Sequence, residues 1–110
     1  MMIKKINEFT RGWIVGDFDP SIIKTKDFEF AVQYYSRGDK EQGHTHKISD
    51  EISVIVYGHF RINDNALSSG EVIWLKPGEE MTSFECLEEG AIAVIKRPSV
   101  IGDKYATSVQ

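Results

Sequence analysis

Three prolines, a single cysteine, sparse basic charge and no long apolar run set the first limits on this 110-residue chain. With Cys86 alone no internal disulfide can form, and an unpaired thiol fits a reducing compartment, so the expected location is cytoplasmic. No apolar segment approaches the roughly 20 residues that a membrane-spanning helix needs, and no membrane partner is expected. The N-terminal MMIKKINEFTRGW holds neither an apolar core nor a small-residue cleavage site, so no signal peptide is expected. Thirteen basic residues stand against seventeen acidic ones, a formal charge of −4. The densest basic cluster is Lys4–Lys5, which excludes the basic stripe of a nucleic-acid surface. Helical periodicity is also missing: no stretch sustains apolar residues at i, i+3, i+4 and i+7. One short helical turn is expected, over Ser21–Lys26 behind Pro20.

What the chain does contain is the composition of an ordinary globular domain, 41% hydrophobic and 27% charged. Its length suits a single domain, 1–110, that buries roughly two thirds of its unfolded surface. Short β-branched and aromatic runs recur between turn-forming clusters. They predict strands at Gly12–Val15, Phe28–Tyr35, Glu51–Tyr57, Phe60–Ile62, Val72–Leu75, Met81–Cys86 and Ala91–Lys96. Many short strands at near-regular spacing point to a β-sandwich or small barrel.

Alternation along two of these strands carries more information. In Glu51–Tyr57, Glu51, Ser53, Ile55 and Tyr57 share one face, and the wholly apolar Ile52, Val54 and Val56 share the other. A strand apolar on both faces is covered on both, so the N-terminal segment or a second subunit is expected over Ile52, Val54 and Val56. In Phe28–Tyr35 the same alternation separates Phe28, Phe30, Val32 and Tyr34 from Glu29, Ala31, Gln33 and Tyr35. The second set suits either a pocket wall or a solvent face.

The stretch GHTHKISDE, residues 43–51, concentrates the chemistry. In an extended segment His44 and His46 point to the same side, about 6.6 Å apart along the strand. The polar KISD turn brings Glu51 back towards them. Two neutral imidazoles and a carboxylate form a ligand set suited to divalent iron, manganese, nickel or zinc.

The frame around this stretch is specific. Gly38, five residues, His44-x-His46, four residues, Glu51, six residues and Gly58 match the first cupin motif at every fixed position, and the chain resembles a single-domain cupin. The second cupin motif is partly present in GEVIWLKPGEEM, residues 70–81. Gly70 and Gly78 fall in place, Pro77 is shifted by one, and Met81 stands where the motif has histidine. The resemblance covers about residues 28–96, leaving an N-terminal strand segment, 1–27, and a C-terminal tail, 97–110. It implies an all-β double-stranded β-helix, or jelly-roll barrel, with little helix. It further implies a pocket at one end of the barrel and a metal held by His44, His46 and Glu51, with the fourth family ligand replaced by Met81.

Other residues have plainer readings. His59 belongs to an exposed strand edge, and Met81 to the core or the pocket wall. Glu79 and Glu80, beside the lost ligand, read as a solvated acidic turn, the alternative being a substitute ligand. Tyr34, Tyr35, Trp74 and Phe84 are candidates for core or for stacking on a ligand. Lys104 and Tyr105 lie in a tail that either crosses the barrel mouth or hangs loose.

The expected function is that of a cupin acting on a small polar molecule, a sugar derivative or organic acid, by isomerase, lyase or oxygenase chemistry. His44, His46 and Glu51 are then both the metal ligands and the catalytic centre. The alternatives are a non-catalytic module that binds a small ligand, with or without metal, and a metal-free epimerase-like cupin. In the latter His44 or His46 is the general base, oriented by Glu51. The expected assembly is a homodimer.

Overall fold

The computed structural model describes residues 1–106, so the last four residues of the tail, 107–110, lie outside it. The chain opens with two 3-10 turns, Ile6–Glu8 and Thr10–Gly12, then forms eleven strands. These are β1 (Trp13–Gly16), β2 (Ile23–Lys24), β3 (Glu29–Tyr35), β4 (Lys40–Glu41), β5 (His44–Thr45), β6 (Asp50–Ile62), β7 (Asn65–Ser68), β8 (Val72–Leu75), β9 (Glu80–Met81), β10 (Phe84–Arg97) and β11 (Tyr105–Ala106). The larger sheet runs β2-β1-β3-β10-β6-β7, with β4 also on β10 and β8 also on β6; a smaller sheet runs β11-β5-β9. The result is the double-stranded β-helix expected from the sequence.

Several elements differ from expectation, the first being Met81–Cys86, which breaks at Thr82–Ser83 so that Met81 ends β9 in the smaller sheet and Phe84 opens β10 in the larger. Ser21–Lys26 forms no helical turn; Ile23 and Lys24 pair in parallel with Val15 and Gly16. A short extended segment beside an unpaired strand edge gains ladder hydrogen bonds that one isolated helical turn cannot match. The breaks expected near Gly58 and before Gly90 are also absent, because β6 and β10 run through them as strands of 13 and 14 residues. The glycines mark a close crossing instead. A Cβ on Gly58, whose φ is +93°, would lie 2.6 Å from the Glu89 carbonyl oxygen, and one on Gly90 would lie 2.2 Å from that of Tyr57. The β6–β10 register shifts here, between Cys86 and Ile92, so the two long strands bend together without ending.

The core sits inside the larger sheet. Ile55, Phe60, Ile62, Leu75, Met81, Phe84, Cys86, Ile92 and Val94 are all buried. Tyr35, Phe60 and Phe84 pack as a trio with centroid separations of 4.9–5.7 Å. On β3 the structure resolves the open alternative: Glu29, Gln33 and Tyr35 border the interior cavity, so Phe30, Val32 and Tyr34 face outwards.

That choice makes the outer face apolar. Trp74, Ile52, Ile95 and Phe30 are successive cross-strand partners, and Val72, Val54, Ala93 and Val32 form the next row. The N-terminal turns reach only its β3 end, where Gly12 packs beside Val32, while Ile52, Val56, Val72, Trp74 and Ile95 stay 37–62% exposed.

Candidate metal centre

His44 and Glu51 reach the site from different sheets. His44 lies on β5, opposite Met81 of β9, and Glu51 lies on β6 in the inward series with Ser53 and Ile55. His46 leaves β5 into the turn between them. Each of the three offers a ligand atom, and these atoms all lie within 4.8 Å of one another. His46 Nε2 is 3.2 Å from Glu51 Oε1, His44 Nε2 is 3.7 Å from the same oxygen, and the imidazole centroids are 4.9 Å apart. All three side chains are buried.

Hydrogen bonding leaves a gap between these groups that a proton or a metal ion could fill. His46 Nδ1–H donates to the Asp103 carbonyl oxygen, so a neutral His46 turns its Nε2 lone pair towards Glu51. A lone pair facing a carboxylate oxygen at 3.2 Å repels it unless a proton or a metal ion lies between. Among the described residues His44 has no hydrogen-bond partner at either ring nitrogen, and a buried imidazole left unpaired is costly. Burial raises the Glu51 pKa, but the two imidazoles and the Lys96 ammonium outweigh it and hold the carboxyl well below the usual range. The site therefore presents an anion and two nitrogen donors at one point, and these residues fit a divalent ion.

A residue with no signal in the sequence organises this geometry. Asp103 is buried, and its carboxylate accepts the backbone N–H groups of Lys47, Ile48 and Ser49 at 2.9–3.2 Å. Burial raises its pKa, but those amide hydrogen bonds bring it below the ordinary value of 3.8. The tail thus clamps the turn between the histidines and Glu51, and its carbonyl fixes the His46 tautomer, the role usually taken by outer-shell partners of metal ligands. Pairing of Tyr105 with Thr45 and of Ala106 with His44 continues the clamp. Of the two readings of the tail, the described part crosses the barrel mouth.

The cavity is about 390 Å³ and is lined by His44, His46, Glu51 and Met81, with Tyr35 and Phe84 deeper in the barrel. The Tyr35 hydroxyl donates to Glu41 at 2.7 Å; burial and that carboxylate keep it protonated far above the ordinary phenol pKa. Tyr34, Trp74 and His59 are exposed; Trp74 donates to Asp50, and His59 lies 3.5 Å from Glu88. Glu79, on the turn before β9, and Glu80, its first residue, are exposed, with Glu79 accepting from the Lys76 amide. Lys104 borders the cavity, and Tyr105 carries Lys47 over its ring at 4.2 Å. Lys96 and Glu29 also face inwards. Lys96 follows Ile92 and Val94 at the inward parity of β10, a signal legible in the sequence.

No protein-family model and no curated protein matches the sequence. Solved structures do match. One is an uncharacterized conserved protein with a double-stranded beta-helix domain from Klebsiella pneumoniae, at 16% identity and a TM-score of 0.71 over 97% of this chain and 92% of that one. A second is the DMSP lyase DddQ from Ruegeria pomeroyi, at 16% identity and a TM-score of 0.69 over 86% of this chain and 49% of the lyase. A third is a bacterial pirin from Escherichia coli in complex with nickel(II), at 15% identity and a TM-score of 0.64 over 81% of this chain and 39% of the pirin. The fold is that of the cupins, as the first motif implies.

Proposed function

We propose that the protein is a metal-dependent cupin enzyme that acts on a small polar molecule. His44, His46 and Glu51 hold a divalent ion, which is iron, manganese, nickel or zinc. The observation that carries this reading is the His46 lone pair facing Glu51 beside a buried His44 with neither nitrogen paired among the described residues. A similar fold holds nickel in the pirin and supports lyase chemistry in DddQ. Three protein ligands leave coordination positions open, the arrangement of catalytic rather than structural sites. When bound, the ion would polarise a substrate oxygen. The residues around it have separate tasks: Asp103 holds His46 in one tautomer, Met81 and Leu75 keep one wall apolar, and Tyr35 keeps its proton.

The test is calorimetric titration with manganese and zinc. Wild type is expected to bind at one site per chain and His44→Ala at none. Equal binding by the two proteins would overturn the reading.

A metal-free reading has one observation in its favour, the 3.2 Å His46–Glu51 contact. A protonated His46 shared with Glu51 is the acid–base pair an epimerase-like cupin uses; turnover that survives exhaustive chelation supports it.

The same proposal includes a homodimer, with a second copy over Ile52, Val56, Val72, Trp74 and Ile95, a face larger than the scattered apolar residues of ordinary surfaces. It also includes a cytoplasmic location, supported by the free, buried Cys86, whose pKa burial raises. Among the described residues, no helix is long and apolar enough to cross a membrane.

A further inference from the structure

Lys96 is a charged group in the cavity that metal binding does not use. Its Cα partners are Glu51 of β6 on one side and Glu29 of β3 on the other. Its side chain is 12% exposed, and the ammonium lies 3.3 Å from Glu29 Oε1 and 5.0 Å above the Trp13 ring centroid. Glu29 is itself fixed: its Oε2 accepts from the Ser99 hydroxyl at 2.8 Å, and Ser99 Oγ accepts from the Asp17 amide at 3.0 Å. An ammonium has three N–H donors, and this one has a single carboxylate within 4.0 Å, with the Glu51 charge farther off. Replacing a buried ion pair with apolar residues is often neutral or stabilising, so stability alone gives little reason for a lysine after Ile92 and Val94.

Two more cations border the same space, Arg11 and Lys104. Burial, followed by the charges of Lys96 and Arg11, pulls the Lys104 pKa below the ordinary lysine value, against the opposing pull of Glu41 and Glu51. Most carboxylates nearby are already engaged. Glu41 accepts from Tyr35 and lies 3.8 Å from Arg11, Asp19 pairs with Lys24, and Asp103 is held by three amides. Lys104 has no carboxylate within 4.0 Å among the described residues. A buried, oriented ammonium with a second cation at the mouth is the chemistry that receives a carboxylate.

We infer that the cavity takes a small organic acid, its carboxylate received by Lys96 with Lys104 at the mouth, and a second oxygen turned towards His44, His46 and Glu51. This narrows the substrate from polar molecules in general to acids. The second contact rests on the metal-centre reading; the first does not.

The experiment titrates lactate and gluconate, with lactamide and glucose as their uncharged counterparts, into wild type, Lys96→Met, Lys96→Arg and the Lys96→Met/Glu29→Gln double variant. The double variant removes the ion pair as a unit, so no lone carboxylate stays buried if the single variant unfolds. Each titration is run with and without manganese, whose own binding is measured first. At least one acid is expected to bind wild type tenfold or more tightly than its counterpart. Lys96→Met and the double variant should lose that preference, and Lys96→Arg should retain part of it. Manganese affinity in Lys96→Met should stay within threefold of wild type or tighten, because a positive charge beside Glu51 is removed. Neutral molecules binding as well as the acids, acids binding the double variant as well as wild type, or neither acid binding at all would overturn the inference. Absence of manganese binding by wild type defeats the metal-centre reading instead, and the acid preference is then read from the metal-free titrations.

Discussion

Met81 is the position at which one substitution should strengthen metal binding most. Its Cα is paired with that of His44 across β5 and β9, its side chain is 4% exposed, and it lines the cavity beside all three ligands. Met81→His offers a fourth nitrogen to an ion held by three groups. Structural zinc sites with four ligands bind with about 10–16 kcal/mol, so an equal share is about 3 kcal/mol per ligand. Against this stands the cost of a buried imidazole, about 1–3 kcal/mol where one ring nitrogen finds no partner. With a mid-range cost of about 2 kcal/mol the expected net gain is about 1 kcal/mol, a roughly fivefold lower zinc Kd. In the metal-free protein the same substitution should destabilise the barrel by about 1–3 kcal/mol, since a flexible apolar wall residue is replaced by a polar ring. Zinc competition against a chromophoric chelator gives the affinity, and thermal melts in EDTA and in excess zinc give the stability. Unchanged zinc affinity in a folded Met81→His protein would refute the placement of Met81 beside the ion. Zinc binding by the variant alone, with none by wild type, would mark the natural protein as a cupin that has lost its metal.

Asp103→Ala should cost about 2–3 kcal/mol, because charge-assisted hydrogen bonds to three amides are lost, and should weaken metal binding by about 10- to 100-fold by releasing His46; urea melts and metal titration check both. The Asp103 pKa is lower folded than unfolded, so its contribution is complete above pH 3.8 and disappears as pH falls through the lower folded value. The stability gap between wild type and Asp103→Ala should therefore be constant from pH 7 to about 5 and close below pH 3.8; a gap that widens there contradicts the clamp. Gly58→Ala should destabilise by about 2–4 kcal/mol, since its Cβ would meet the Glu89 carbonyl at 2.6 Å in a left-handed conformation; a loss below 0.5 kcal/mol would show that the crossing is looser than described. Ile52→Glu/Trp74→Glu should shift a dimer to monomer in light scattering without unfolding the barrel, and a wild type monomeric at high micromolar concentration argues against that face as an interface.

The parts of the molecule legible in the sequence are those governed by period and spacing. Alternation in residues 51–57 put Glu51, Ser53 and Ile55 on one face, which the structure turns inwards, and the glycine–histidine–glutamate spacing identified the turn that gathers the three ligand atoms. What escaped was set by tertiary partners. Residues 21–26 lack an apolar period, and only the edge of β1 makes Ile23 and Lys24 a strand. Gly58 reads as a break because a glycine at the end of a strand and one at a close crossing look alike without the opposing chain. Asp103 lies 54–56 residues from the amides it binds, and an aspartate followed by lysine carries no local mark of that contact. Lys96 was visible by parity as a lysine amid inward apolar residues, although its partner Glu29 is 67 positions away and is joined only by sheet register.

The central claim is that a divalent ion belongs between His44, His46 and Glu51. Anomalous diffraction from crystals grown with manganese or zinc, recorded on both sides of the metal's absorption edge, tests it directly. The account predicts one strong edge-dependent peak per chain within about 2.0–2.3 Å of both Nε2 atoms and a Glu51 carboxylate oxygen. A featureless site at saturating metal, with His46 Nε2 still 3.2 Å from Glu51, would contradict it and leave that contact to a shared proton.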